Sequence, residues 1–103
     1  MKGMNEMVRQ AQIMQRKMAE LQEELKTRVV EATAGGGMVK VQCTGGQELA
    51  GIAIDPSVLE SGDVEMLQDL VLAAVNEGMK QAKAMVEQEM SKITGGIKIP
   101  GMF

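Results

Sequence analysis

Histidine, tryptophan and tyrosine are absent from this chain, phenylalanine and cysteine occur once each, and proline twice. Without histidine the usual general base near neutral pH is missing, and no Ser–His or Cys–His nucleophilic pair can form. The single Cys43 rules out an intrachain disulfide, and one cysteine with no histidine excludes an ordinary zinc site. With Phe103 as the only ring, stacking on the bases of single-stranded nucleic acid is nearly excluded. Long apolar runs are also missing. Arg9, Arg16 and Lys17 interrupt the N-terminal pattern, so neither a signal peptide nor a membrane span is expected. These absences predict a soluble cytoplasmic protein that is not an enzyme and takes no cofactor, metal or small-molecule substrate.

Hydrophobic residues make up 45% of the 103, enough for one small domain with a core. Eleven methionines, with Val, Leu and Ile, must fill that core. Methionine adapts to irregular gaps and suits helix–helix contacts. So thin a core predicts a partner subunit. The clearest pattern lies at the start. Met4, Met7, Ala11, Met14, Met18, Leu21 and Leu25 repeat at alternating intervals of three and four, the seam of a helix packing lengthwise on another helix. Behind that seam Lys2, Arg9 and Arg16 recur every seven residues, a second stripe with a step of about 10.5 Å.

The net charge is −3, which taken alone argues against a nucleic-acid ligand. Its distribution argues otherwise. Residues 1–18 carry a balance of +3, residues 80–98 one of +2, and residues 19–79 one of −8. Screening at physiological salt acts over about 8 Å, so a ligand at one end of the molecule feels the local charge. Basic ends can therefore coexist with an acidic body.

Good helix formers fill residues 4–25 and predict the first helix. Residues 28–33 read as a strand, and the Gly35-Gly36-Gly37 break leads to a second at 38–44, with Val39, Val41 and Cys43 on one face. Gly45-Gly46 reads as a two-residue hairpin whose glycines take positive φ. A third strand follows at 48–54, with Ala50, Ile52 and Ile54 facing one way. Asp55-Pro56 ends it. After a possible single turn at 56–59, a long helix over 64–93 starts at an N-cap on Ser61 or Asp63. Its apolar side comprises Leu67, Leu70, Val71, Ala74, Ala82, Met85 and Met90, and Gly78 within it is either a close-packing point or a weak spot. The expected fold class is α+β, a three-stranded antiparallel meander packed on two long helices. Residues 1–94 form the domain and residues 95–103 a flexible tail. Both helices outrun the sheet, so their projecting stripes should pair with each other and across a dimer.

Most candidate sites have plain explanations. A solvated helix face accounts for Glu20, Glu23 and Glu24 without a Mg²⁺ ion, and a turn accounts for the glycine triplet, which joins strands and does not lead into a helix. Cys43 reads as a small buried apolar residue. The basic stripe is the exception. If the two long helices pack antiparallel, Lys2, Arg9, Arg16 and Lys17 converge with Lys80, Lys83 and Lys92 into a basic clamp on a helical tip. Tight connections, however, leave the two helices running parallel. Antiparallel pairing then requires residues 55–62 to travel the sheet's length, or a helix from another subunit.

Several segments carry a family resemblance: Gln10-Ala11-Gln12-Ile13-Met14-Gln15, Ala34-Gly35-Gly36-Gly37-Met38-Val39, Ile54-Asp55-Pro56, Met66-Leu67-Gln68-Asp69-Leu70, Ala73-Ala74-Val75-Asn76-Glu77 and Ile99-Pro100-Gly101. In this order they resemble the YbaB/EbfC family of nucleoid-associated proteins over nearly the whole chain. The resemblance implies an α-β-β-β-α fold and a tight homodimer with projecting helices like tweezers. It also implies double-stranded DNA as the ligand, bound without catalysis. By position it marks Arg9, Arg16, Lys17, Lys80 and Lys83 as DNA contacts. The chain departs from the family pattern at Gly78 and in its acidic total. The function expected is that of a cytoplasmic, nucleoid-associated DNA-binding homodimer that influences nucleoid organisation and gene expression. The alternative is a dimeric adaptor for replication or recombination proteins.

Overall fold

A computed structural model describes residues 2–95, with the side chains of Lys2 and Thr94 excepted. The elements run α1 (Lys2–Leu25), β1 (Val29–Ala34), β2 (Val39–Thr44), β3 (Leu49–Ile54), α2 (Pro56–Glu60) and α3 (Val64–Thr94). The α+β class and the α-β-β-β-α order are those expected, with the single turn after Pro56 grown into the five-residue α2. Of the expected tail at 95–103, only Gly95 falls within the described residues.

The sheet has the order β1-β2-β3, antiparallel throughout. Val39, Val41 and Cys43 point to one face of the central strand and are fully buried, while Lys40 and Gln42 point to the other and are exposed. Both helices were expected to cover the apolar face. Only α3 does so, and it lies over β1 and β2. Its stripe of Ala74, Gly78 and Ala82 is small and fully buried, so the helix backbone sits close on the sheet. A Cβ on Gly78 would stand 2.6 Å from Cys43 Sγ and 3.0 Å from Val41 Cγ2. Gly78 is therefore the close-packing point and not the weak spot.

The first helix is absent from the sheet because of the corner that follows it. The turn at residues 26–28 sends β1 onward from the end of α1, so α1 projects beyond the strands. The β2–β3 turn holds this corner: Gly45 N–H donates to Arg28 O at 3.1 Å and Gly46 N–H to Lys26 O at 3.1 Å. A Cβ on Gly45 would collide with the carbonyl oxygen of Leu25. The glycine pair is thus required for close approach and not for positive φ, as had been expected. The left-handed residue of this turn is Gln47, at φ 63°, in a three-residue loop. The Gly35-Gly36-Gly37 turn, by contrast, does use positive φ at all three positions.

α3 returns over the sheet, passes its end and meets α1 there. Met18 and Leu25 are buried against Met90, with Leu21, Met85, Val86 and Ile93 packed around them. Leu25 lies at the level of Val86, where both crowd Gly45, and Lys17 lies at the level of Lys92 and Ile93. The helices are therefore antiparallel within one chain. The difficulty that tight connections would leave the helices parallel holds only if both lie on the sheet; because α1 leaves it end-on, residues 55–62 need not travel its length. The resulting molecule measures 73 × 19 × 18 Å.

The start of α2 is capped by Asp55, whose side chain accepts the Ser57 N–H at 2.9 Å. That backbone hydrogen bond, then the Ser57 hydroxyl, holds the Asp55 carboxyl below its ordinary value, against a small opposing effect of burial. A lowered folded-state value contributes stability above the unfolded value and loses it as pH falls through the folded one. Asp55→Asn should therefore flatten the acid limb of a stability–pH curve while leaving the neutral plateau nearly unchanged, as denaturant titrations at stepped pH would show. Asp63 in turn caps α3, its carboxylate accepting the Met66 N–H at 2.9 Å.

Candidate nucleic-acid interface

The N-terminal part of α1 is a helical arm. From residue 3 to residue 17 every described side chain is exposed except Ile13, which is half-buried. Arg9 and Arg16 sit two turns apart, about 10.5 Å, on the side opposite Met18 and Leu25. Arg9, Arg16 and Lys17 are exposed and make no ion pair among the described residues. Lys2 is the first residue of the same helix. Glu6 is the only acidic residue among the first eighteen, so the outer face of the arm is a cationic stripe.

The remaining cations are placed differently. Lys17 and Lys92 meet at the base of the arm, lining a shallow groove of about 330 Å³ with Glu20, Leu21, Glu24, Glu89 and Ile93. Lys92 is already paired with Glu89 at 3.2 Å. Lys80 and Lys83 flank the buried Ala82 and are exposed over the sheet. Nine residues of helix separate Lys83 from Lys92, about 13 Å, and Arg9 lies about 12 Å beyond Lys17 in the other direction. The antiparallel pairing is present, but it brings together Lys17 and Lys92 and not the whole set. The cations form a broken line along the molecule.

Arg28 stands four residues after Glu24, the spacing of a helix ion pair. In the structure it donates to Glu24 at 2.7 Å and also reaches Glu89 on α3 at 3.5 Å. It thereby ties α1, α3 and the corner together at the point where the arm leaves the body. No spacing rule reveals this contact, because it joins residues 61 positions apart. Among the described residues no three Cys, Asp or Glu side chains converge to hold a metal ion, and no helix is long and apolar enough to cross a membrane.

A second surface lies on β3. Val41 pairs with Ile52 and Val39 with Ile54, and directly opposed residues share a face, so both isoleucines point to the side that α3 covers. The helix does not reach them: Ile52 is 47% and Ile54 37% exposed. A bulge between Gln42 and Cys43 shifts the register so that Cys43 opposes Leu49. Leu49 therefore joins this patch in place of Ala50. Leu72, on the α3 stripe that carries Val75 and Met79, is exposed as well.

Fold and surface together define a small α+β protein in which a sheet with one covering helix supports a projecting helical arm bearing cations that are unpaired among the described residues. The chain belongs to the YbaB/EbfC DNA-binding family, which it matches across residues 1–97. It is 58% identical over 101 residues to a nucleoid-associated protein of Moorella thermoacetica, a match covering 98% of this chain and 97% of that one. It is 54% identical over 101 residues to another from Thermoanaerobacter pseudethanolicus, covering 98% and 91%. Among solved structures it is similar to an uncharacterized protein of Helicobacter pylori, with a TM-score of 0.69 and 30% identity, covering 82% of this chain and 89% of that one.

Proposed function

We propose that this protein binds duplex DNA as a homodimer, with the outer faces of its two arms set against phosphates. The observation that carries the reading is the exposed stripe of Arg9, Arg16 and Lys17, unpaired among the described residues, on a helix that projects clear of the body. Lys2 continues the stripe, while Lys80, Lys83 and Lys92 add weaker contacts further along. Arg and Lys contacts to phosphate position a protein on DNA without reading its sequence, so binding should show little sequence preference. In this reading the protein acts on the nucleoid in the cytoplasm, contributing to its organisation and to gene expression.

The test is a salt series of DNA titrations on protein of checked oligomeric state. The logarithm of the binding constant should fall with the logarithm of salt at about −0.9 per phosphate neutralised. Salt-independent binding would sink the phosphate reading. No DNA binding at low salt, with a protein partner captured instead, would favour the adaptor alternative.

The β3 patch supports the dimer. Leu49, Ile52 and Ile54 form an apolar strip at the sheet's edge that the chain's own helix leaves open, and a second copy would cover it. Replacing Ile52 and Ile54 by Asp should leave the monomer folded, since both positions are partly exposed. It should raise the dimer dissociation constant roughly thirtyfold or more, about 2 kcal/mol. Light scattering across a dilution series reads this directly, and an unchanged dimer would place the interface elsewhere.

A further inference from the structure

We propose that the open half of the α1 seam pairs, antiparallel, with the same half of α1 in a second copy of this chain. The seam is one unbroken heptad pattern, and α3 covers only its C-terminal part. Met18 and Leu25 are buried, whereas Met14, Met7 and Met4 are 39%, 72% and 66% exposed, with Ala11 exposed between them. The helix-on-helix interface over Met18, Leu21 and Leu25 therefore stops in the middle of a pattern that continues. Leu25, which borders the sheet at Gly45, lies eleven residues of helix from Met14, about 16 Å. The open seam is thus a surface separate from the β3 strip.

Spacing selects the occupant. A two-fold axis beside residue 9 sets Met4 against the partner's Met14 and Met7 against the partner's Ala11, and symmetry repeats both contacts. All four open positions are used, and the bulky Met7 meets a small residue. A parallel pair would instead set Ala11 against Ala11 and leave a gap there. Antiparallel pairing also fits the helix already in place. Lys17 lies level with Lys92 and Ile93, so Gly95, which ends α3, stands about level with Met14. The partner's α1 runs in the direction of α3 and begins at that level. The N-terminus of one helix then faces the C-terminus of the other, a favourable meeting of helix dipoles. Charge permits the contact as well. Beside the open seam stand Val8, Gln10 and Gln15, all uncharged, and Lys17, which falls opposite the partner's Gly3. Arg9 and Arg16 stay on the far side of each helix. Four layers over about 15 Å make a small interface, so the pairing depends on protein concentration. It does not need DNA. A paired set of arms carries cationic stripes on two opposite outer sides, the geometry for holding two duplexes; that consequence alone rests on the DNA reading.

Cysteine pairing in full-length chains tests occupant and register together, because Cys43 is buried and out of reach. Met7→Cys chains mixed with Ala11→Cys chains at high concentration should form a mixed disulfide under mild oxidation, and so should Met4→Cys with Met14→Cys. Arg9→Cys, on the outer face, should link about tenfold less. By light scattering at high concentration, the average mass of the parent should be about twofold or more above that of Met7→Glu/Met14→Glu. Both substitutions fall at exposed positions of the arm, so that variant keeps the fold. Absence of the mixed disulfides, equal linking through Arg9→Cys, or equal masses would each overturn the proposal. A product of two Ala11→Cys chains that exceeds the mixed one would mean a parallel pair and refute the register. Both measurements are made without DNA, so their failure is distinct from a failure to bind it.

Discussion

Replacing Gly78 by leucine is expected to lower the melting temperature more than any other single change to the helix–sheet layer. Added side-chain atoms at that position enter the space of Cys43 Sγ and Val41 Cγ2, both fully buried on the central strand. Neither neighbour has an open side to move into, so α3 must lift from the sheet. Overpacking of a dense core costs about 1–3 kcal/mol, and more for a change this large. For a domain of this size each kcal/mol corresponds to about 4–8 °C. Gly78→Ala is the informative companion. Alanine favours the helix by about 1 kcal/mol, which opposes the clash, and the net loss should be smaller. Removing the sulfur should shift that balance: in a Cys43→Ala background, Gly78→Ala should cost less than it does in the parent. A double-mutant cycle by thermal or urea unfolding, at one fixed protein concentration, reads the coupling. Zero coupling would mean that the glycine is not where helix and strand meet.

Replacing Arg9, Arg16 and Lys17 together by alanine should leave the fold intact and remove most DNA affinity. The three side chains are exposed and unpaired among the described residues, and alanine is at least as good a helix former. If each cation neutralises one phosphate, the salt slope should shrink by about 3 for each arm engaged. Counterion release then sets the scale of the affinity loss, on the order of a hundredfold near 0.1 M salt. The loss should be similar on unrelated DNA sequences. Lys92→Ala is a useful contrast, because Lys92 is already held by Glu89 and should matter much less. A triple variant that binds as tightly as the parent while still dimeric would remove the arm from the site.

Much of the fold was legible because it depends on local repeats. Alternation exposed Val39, Val41 and Cys43 as one strand face, Asp55-Pro56 marked the end of the third strand, and Ser61 and Asp63 were the two candidate caps of the long helix, of which the structure uses Asp63. The heptad of α1 and its opposing cations needed only the 3.6-residue period. Where the reading went astray, the cause was an interaction between distant residues. Gly45 and Gly46 looked like turn glycines, but the α1 corner presses on them from outside the turn. Ala50 was placed on the apolar face by strict alternation, and a bulge gave that place to Leu49. The clamp of seven cations assumed that antiparallel helices align along their whole lengths. The overlap is short, and Lys80 and Lys83 remain over the sheet.

The sequence by itself determined the elements, their order, the amphipathic seam of α1 and the cationic stripe behind it. These follow from propensity and periodicity, which act over a few residues. Only the tertiary structure decided that α1 leaves the sheet as an arm, that α3 alone covers β1 and β2, and that β3 and the N-terminal half of the seam stay open. Those outcomes depend on how closely backbones can approach at Gly45 and Gly78, and on where one helix ends relative to another. Such quantities are set by contacts between residues far apart in the chain.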